Sequence, residues 1–376
     1  MGEAVEERGR HLGVAEDGGP FAKREIGGDD HRGLFVELAD EVEEELAAGS
    51  SEGQIAELVE HDQFEARELG GQMSCLADAS FLLEAVHEID GVEVAAARAG
   101  ADHSRRDRDR EMGLAGRLAD AGHVVYASMR ALSEDKVEQA RLYGAEHGVD
   151  IRTVALDVQD QRSADAAVAQ IIAERGRIDV IVHNAGHMAF GPAEAFTPEH
   201  FAALYDINVI GPQRVNRAAL PHMRTSGGER LLLWVGSTST RGGTPPYLAP
   251  YFAAKAAMDS LAISYASELA RWGIETVIVS PGVYTSGTNH FAHADQPADE
   301  ACAAEYAMGP TRDLAEQAKA ADLASVPANA DPMDVARAVV RAVAIPFGTR
   351  PLRITVDPAD SGADELNKLG DRVRAT

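Results

Sequence analysis

From residue 123 onward the chain alternates short, continuously apolar runs with helix-length segments, and few folds accept that order. The apolar runs are 123–128 (HVVYAS), 151–157 (IRTVALD), 178–185 (IDVIVHNA), 229–237 (ERLLLWVGS), 274–281 (IETVIVSP) and 352–357 (LRITVD). Between them lie segments that read as helices: 134–147 with Ser133 as N-cap, 163–175, 197–224 with an interruption at Gly211-Pro212, 250–272, and 331–344 with Asp331 as N-cap and Pro332 at its first position. The strands do not alternate apolar with polar. They read as strands buried on both faces of a parallel sheet. The expected fold is therefore α/β: a doubly wound, Rossmann-like parallel sheet in a three-layer α/β/α sandwich.

The first 110 residues are different in kind. Of the 61 acidic and 35 basic groups in the 376 residues, this segment holds 28 and 11, a net of 11 − 28 = −17 against −26 for the whole chain. Short amphipathic helices are expected at 41–46, 54–60 and 81–89, separated by glycine pairs, and strand signals are almost absent. The mixed-charge stretch 104–110 reads as a solvated linker. Residues 1–110 are thus expected to be a weakly ordered acidic extension, and 111–376 the folded domain.

Composition excludes several classes. An isoelectric point near 4.8 argues against phosphate-tracking nucleic-acid binding and against an anionic membrane surface. Two cysteines, Cys75 and Cys302, make neither a disulfide scaffold nor a four-ligand zinc site, and the thirteen histidines lack the spaced partners of a metal site. No apolar run approaches a membrane span, and the N-terminus has no basic-then-apolar signal. A cytoplasmic protein without metal, nucleic-acid or membrane partners is expected.

One constellation carries chemistry. Tyr251-Phe252-Ala253-Ala254-Lys255 places a phenol and an ammonium at i and i+4 of one helix, so both point the same way. A nearby ammonium favours phenolate, and a phenol so tuned exchanges a proton with a carbonyl oxygen near neutral pH. Ser237 ends a strand fourteen residues before Tyr251, at the sheet edge where such folds bind ligands. Ser239, twelve residues before Tyr251, is a rival for the same task. Asn184-Ala185-Gly186 ends the preceding strand, and its small residues let a backbone pass close to a ligand. Asn208 lies within a helix, where an amide needs a partner or a task. Pro281-Gly282 ends the strand after the Tyr251 helix.

These motifs, in this order and spacing, resemble the short-chain dehydrogenase/reductase family over residues 113–376. The resemblance implies that Tyr251 is the general acid in carbonyl reduction and the base in alcohol oxidation. Lys255 would tune it and hold the nicotinamide ribose, Ser237 would bind the substrate oxygen, and Asn208 would hold a water of the proton relay. Asn184, Ala185 and Gly186 would line the adenine-ribose side, Asp157 and Val158 would meet the adenine, and Pro281, Gly282, Val283 and Thr285 would border the carboxamide. The variable substrate lobe would span 285–328, with Phe291, Tyr306, Met308 and Leu314 suiting a moderately apolar ligand. Homodimers or homotetramers through the 250–272 helix are implied as well.

Cofactor type is argued from the end of the strand at 123–128. NAD binders of this topology place an acidic residue there, whereas here Ser128-Met129-Arg130 offers a guanidinium for a 2′-phosphate. NADP(H) is the expected cofactor, with NAD(H) as the second choice. The family's first strand and TGxxxGxG turn should come just before residue 112. The three glycines would fall near Arg105, Asp109 and Glu111, in the sequence SRRDRDREMG. That turn needs residues without Cβ so that backbone N–H groups reach the pyrophosphate. The first strand is thus expected to be atypical or missing, through a disrupted gene start or fused reading frame. Three readings follow: an NADP(H)-dependent oxidoreductase acting on a small carbonyl or secondary alcohol, a catalytically impaired relative serving as a binding or assembly module, or a product that does not fold.

Overall fold

A computed structural model of the chain describes residues 33–37, 112–241, 246–285 and 294–374. Its seven strands are β1 (Gly33–Glu37), β2 (Val124–Met129), β3 (Ile151–Ala155), β4 (Val180–His183), β5 (Arg230–Val235), β6 (Ile274–Pro281) and β7 (Arg353–Val356). They form one sheet in the order β3-β2-β1-β4-β5-β6-β7, and every pairing is parallel. The helices are α1 (Gly113–Asp120), α2 (Glu134–His147), α3 (Gln161–Arg175), α4 (Pro198–Tyr205), α5 (Gly211–Ser226), α6 (Ala249–Leu269), α7 (Glu300–Met308), α8 (Leu314–Ser325), α9 (Met333–Ala344) and α10 (Ala363–Arg374).

The strands read as continuous apolar runs because both faces are covered. Tyr126, Ile181, Leu232, Trp234 and Ile278 point to one side, where α3, α5 and α6 pack through Val168, Val215 and Met258. Their neighbours Val125, Val182, Leu231, Leu233 and Val277 point to the other, against α1, α2 and α9 through Leu118, Tyr143 and Val339. Alternate residues of each strand thus feed alternate cores, the period-2 rule of a pleated strand. This is the expected three-layer fold. Among the described residues no helix is long and apolar enough to cross a membrane.

Local signals place most boundaries. Ser133 Oγ accepts from Lys136 N at 3.3 Å and starts α2, and Gly148, at φ 68°, ends it. α3 starts two residues earlier than expected because Asp160 caps it by accepting from Arg162 N at 2.9 Å. Asp331 was expected as the N-cap of the 331–344 helix. Pro332 takes that position, while the Asp331 carboxylate accepts from Met333 N at 3.0 Å and meets the same unsatisfied donor from one residue further out. The expected helix over 197–224 is three pieces: α4, a π-helical turn at Asp206–Ile210, and α5. Pro212 has no N–H to return to the Asn208 carbonyl, and Gly211 N donates five residues back to Asp206 O, so the turn widens just before the Gly-Pro pair rather than at it.

The principal correction concerns β1. A missing first strand was one expectation; instead the central position between β2 and β4 is filled by Gly33–Glu37, from within the acidic segment. Leu34 lies opposite Val125 of β2 and Val180 of β4. Its apolar core is only Leu34-Phe35-Val36, too short to stand out in a charged segment. The helices expected at 41–46, 54–60 and 81–89, and the linker at 104–110, lie outside the described residues.

A strand paired on both sides cannot lose an N–H without leaving a buried carbonyl unmet. Val36→Pro in the full chain is therefore expected to destabilise the domain by about 3 kcal/mol or more, read from the urea midpoint by circular dichroism. An unchanged midpoint would remove Gly33–Glu37 from the sheet.

Candidate active site

The expected site residues gather at the C-terminal ends of β4, β5 and β6 and the first turns of α6. Lys255 faces inward in the second turn of α6 and is 5% exposed. Its Nζ donates to Val235 O, at the end of β5, at 3.1 Å. Burial pulls the amine down from 10.5 to about 8. The same Nζ lies 5.9 Å from the Tyr251 ring centroid. Tyr251 is the third residue of α6, within the turn where the helix's partial positive charge favours an anion. The half-buried Tyr251 packs against two apolar clusters, one with Met188, Phe190 and Leu248 and the other with Ala189, Phe196 and Leu204.

Asn208 is fully buried in the π-helical turn. Its Nδ2 donates to Leu204 O, four residues back, and to His187 O, both at 3.0 Å, and its Oδ1 accepts from His187 N at 3.3 Å. The amide therefore has partners, and they fasten the segment after β4 to the α4–α5 corner. Gly186 shows how tightly this corner closes on Lys255. A Cβ there would stand 2.9 Å from Asn208 Oδ1 and 3.1 Å from Lys255 Nζ. Any side chain at 186 would push apart two of the four expected catalytic residues.

Ser237 lies just past β5, in extended backbone, and opens a 3₁₀ turn, Thr238–Thr240. Its Oγ accepts from Ser239 N at 3.2 Å, which leaves the hydroxyl hydrogen free to turn toward a ligand. Ser239 Oγ is buried and, among the described residues, has no hydrogen-bond partner. Both hydroxyls thus retain donor capacity, and the preference for Ser237 rests on its place at the strand end.

On the adenine side, Asn184, Ala185 and Gly186 follow β4 directly. Ser128 is buried within β2, opposite Glu37 of β1 and Val154 of β3. Arg130 is the first exposed residue beyond that strand. Asp157 Oδ1 accepts from Gln159 N at 2.9 Å, so the carboxylate braces its own turn. Val158 packs against Gly211 at the start of α5, and its carbonyl accepts from Arg214 Nη1 at 3.0 Å. Pro281 ends β6, and Gly282 N donates to Val356 O at 2.9 Å. A Cβ at Gly282 would collide with the Asp357 side chain. Between Val283 and Thr285 stands the buried Tyr284, whose phenol is pushed up to about 12 by burial first and by nearby carboxylates second, so it stays neutral.

The lobe was less legible. Phe291 lies outside the described residues, and Met308, expected to line the ligand space, is 78% exposed. Tyr306 reaches Glu194 with its hydroxyl at 2.9 Å. The apolar wall beside Tyr251 is made by Met188, Phe190, Tyr247 and Leu248, with Ala294 and Ala315 of the lobe. Residues 188 and 190 could have been suspected from their place after NAG. Nothing in the sequence marks Tyr247, which takes a left-handed φ of 72° and donates no glycine-like signal. Among the histidines, His183 Nε2 meets Asn216 Oδ1 at 2.9 Å and His187 Nε2 meets Asp295 Oδ1 at 2.9 Å.

The short chain dehydrogenase family profile matches residues 112–297. An uncharacterized oxidoreductase of Methylorubrum extorquens is 31% identical over 200 residues, which cover 52% of this chain and 77% of the relative. The uncharacterized oxidoreductase YusZ of Bacillus subtilis is 33% identical over 177 residues, 46% of this chain, and the match spans only 62% of the length of that relative. The crystal structure of a short-chain dehydrogenase from Streptomyces avermitilis superposes with a TM-score of 0.54 at 28% identity, covering 71% of this chain and 91% of that one. With this sheet order and these residues at its C-terminal edge, the chain belongs to the short-chain dehydrogenase/reductase family.

Proposed function

We propose that the chain is an oxidoreductase that interconverts a small carbonyl compound and its secondary alcohol with a nicotinamide cofactor, NADP(H) preferred and NAD(H) accepted second. The observation that carries this reading is the convergence of Lys255, Asn208 and Gly186 beside Tyr251 and Ser237 at one sheet edge. Two relatives named as oxidoreductases support the reaction class. The described residues fit the nicotinamide-ribose half of such a cofactor. Gly186 leaves open the space that a Cβ would fill, and the buried Lys255 amine has donors beyond the one given to Val235 O. The nicotinamide, when bound, supplies or accepts the hydride.

The chain's own residues handle the proton and the oxygen. Ser237 Oγ–H donates to the substrate oxygen and orients it. Tyr251 gives its phenolic proton to that oxygen in reduction and takes it back in oxidation. The Lys255 ammonium and the α6 N-terminus both favour the negative charge left on the phenol oxygen. Asn208 holds the corner rigid and orders water behind Lys255. The wall of Met188, Phe190, Tyr247 and Leu248 suits an apolar substituent on the substrate. Arg130, exposed just beyond β2, would pair with a 2′-phosphate. We place the enzyme in the cytoplasm as a homodimer or homotetramer built through α6.

One observation favours a second reading, a catalytically impaired relative that serves as a binding or assembly module. The family's phosphate turn follows its first strand, and the residues that follow β1, 38–48, hold no glycine. Fluorescence titration with NADPH and NADH separates the two. Saturable binding with NADPH preferred, lost to near parity in Arg130→Ala, supports the oxidoreductase. A folded chain that binds neither cofactor supports the module. Given binding, Tyr251→Phe is expected to lower kcat for a carbonyl panel by about 10²- to 10⁴-fold while cofactor affinity is kept.

Lys255 gives a second, cofactor-independent test. Its folded value near 8 lies below its ordinary 10.5, so between those pH values the unfolded chain holds a proton that the folded chain has released. Stability therefore rises with pH across that window, by about 3 kcal/mol at most, and the full burial penalty stands below pH 8. Urea midpoints at pH 7.5 and 10 should show this rise in the wild type and not in Lys255→Met. Equal pH slopes in the two proteins would mean that the amine is not buried. In assays, carbonyl reduction should decline as pH passes about 8 and the ammonium is lost.

A further inference from the structure

The reaction uses Tyr251 and Lys255 on α6, yet a third ionisable group, Asp259, follows at the same four-residue step and is 2% exposed. Two arginines from distant parts of the chain meet it. Arg241 Nη2 donates to Asp259 Oδ2 at 2.9 Å. Arg353, on β7, donates through Nη1 to Asp259 Oδ1 and through Nη2 to Oδ2, the latter at 3.2 Å. Arg353 also reaches Ser280 Oγ at 3.4 Å and, through Nε, Asp371 Oδ2 of α10 at 3.2 Å. Two cations and two carboxylates thus balance in a largely buried cluster.

Arg241 is the far end of the arm that carries Ser237. The arm is closed on itself: Ser239 N donates to Ser237 Oγ, Thr240 N and Oγ1 to Ser237 O, and Arg241 N to Thr238 O at 2.9 Å. Arg241 Nη1 donates back to Thr240 O at 3.0 Å. One end of the arm is fixed by β5 and the other by Asp259, two helical turns past Tyr251. A buried ion pair is weak evidence for stability, because desolvation offsets its Coulomb gain. Its more specific effect is to hold groups in register.

We propose that Arg241 and Asp259 are positioning residues that set the Ser237 hydroxyl against Tyr251, with Arg353 holding the Asp259 carboxylate in place. The catalytic part of this rests on the proposed oxidoreductase reading, while the positioning part does not. A displacement on the order of 1 Å at a reacting group costs about 10²-fold in rate.

The test compares Arg241→Met and Arg241→Lys in the full chain. Asp259 keeps both bonds from Arg353 in either variant, so neither change leaves the buried carboxylate unpaired. Hydrogen–deuterium exchange of the peptide covering 237–241 should quicken about tenfold in Arg241→Met, with peptides of β6 and β7 unchanged and the thermal midpoint nearly kept. In turnover, kcat should fall about ten- to a hundredfold with cofactor KM within about threefold, and Arg241→Lys should recover most of both effects. Unchanged exchange at 237–241, or a rise spread evenly over the sheet, overturns the proposal. A wild type that turns over no carbonyl substrate overturns the oxidoreductase reading instead, and the exchange readout still decides whether Arg241 holds the arm.

Discussion

A parallel sheet buried on both faces has no water to satisfy its backbone, so the slot between β2 and β4 must hold a strand. That requirement governs everything at the C-terminal edge. β2 ends next to Arg130, and β4 ends in Asn184-Ala185-Gly186. Neighbouring strands lie about 4.8 Å apart, so one strand between them sets these groups about 9–10 Å apart and on one edge. Order reverses at this point too: β2 and β3 lie on one side of β1, and β4 to β7 on the other. Ligands of open α/β sheets bind at such a switch point. Gly33–Glu37 thus connects the acidic segment to the site without contributing a residue to the chemistry described there.

The helix that carries Tyr251 and Lys255 accommodates its charges in two ways. Asp259 receives two guanidinium groups. Lys255, one turn earlier, has a backbone carbonyl as its hydrogen-bond partner, and burial brings it toward neutrality. The contrast is chemically apt. A carboxylate that anchors an arm gains from paired cations, whereas an amine proposed to bias a neighbouring phenol works best poised near the operating pH. The stability given up at Lys255 is offset by the two apolar cores on which α6 and the sheet pack. Asn208 follows the same logic without charge: its three hydrogen bonds use an amide, unfavourable in a helix interior, to fasten the corner opened by the π-helical turn.

Much of this was legible in the residues. The strands after residue 120 stood out because burial on both faces forces continuous apolar runs, and Ser133 and Gly148 marked the ends of α2 by their caps. Tyr251, Lys255, Ser237 and Asn208 could be singled out because their types and spacing suit the one reaction proposed for them. β1 was not, because pairing with β2 and β4 stabilises a strand whose own apolar core is three residues long. The π-helical turn was half legible: Gly211-Pro212 marked an interruption, but where the helix widens depends on which carbonyl finds a donor. Arg241, Arg353 and Tyr247 were invisible for a different reason. Their partners are distant in sequence, and only the fold brings Arg353 to Asp259 across 94 residues.

In the proposed oxidoreductase the two halves of a dinucleotide site are separable. The proposed reacting half stands on β4, β5, β6 and α6, all within the span 112–297 that the family profile matches. The phosphate half normally depends on the turn that follows β1, where absent Cβ atoms let backbone N–H groups and a helix N-terminus meet the pyrophosphate. Here β1 ends at Glu37, and Asp40, Glu41, Glu43, Glu44 and Glu45 follow within eight residues. A sequence so rich in carboxylates and without glycine lacks the chemistry that meets a pyrophosphate. For the proposed reaction, the departure from the family pattern therefore bears on cofactor affinity rather than on the proton-transfer step. A chain of this kind should lose rate at limiting cofactor long before it loses rate at saturation, since an interaction missing equally from ground and transition states raises KM and leaves kcat alone.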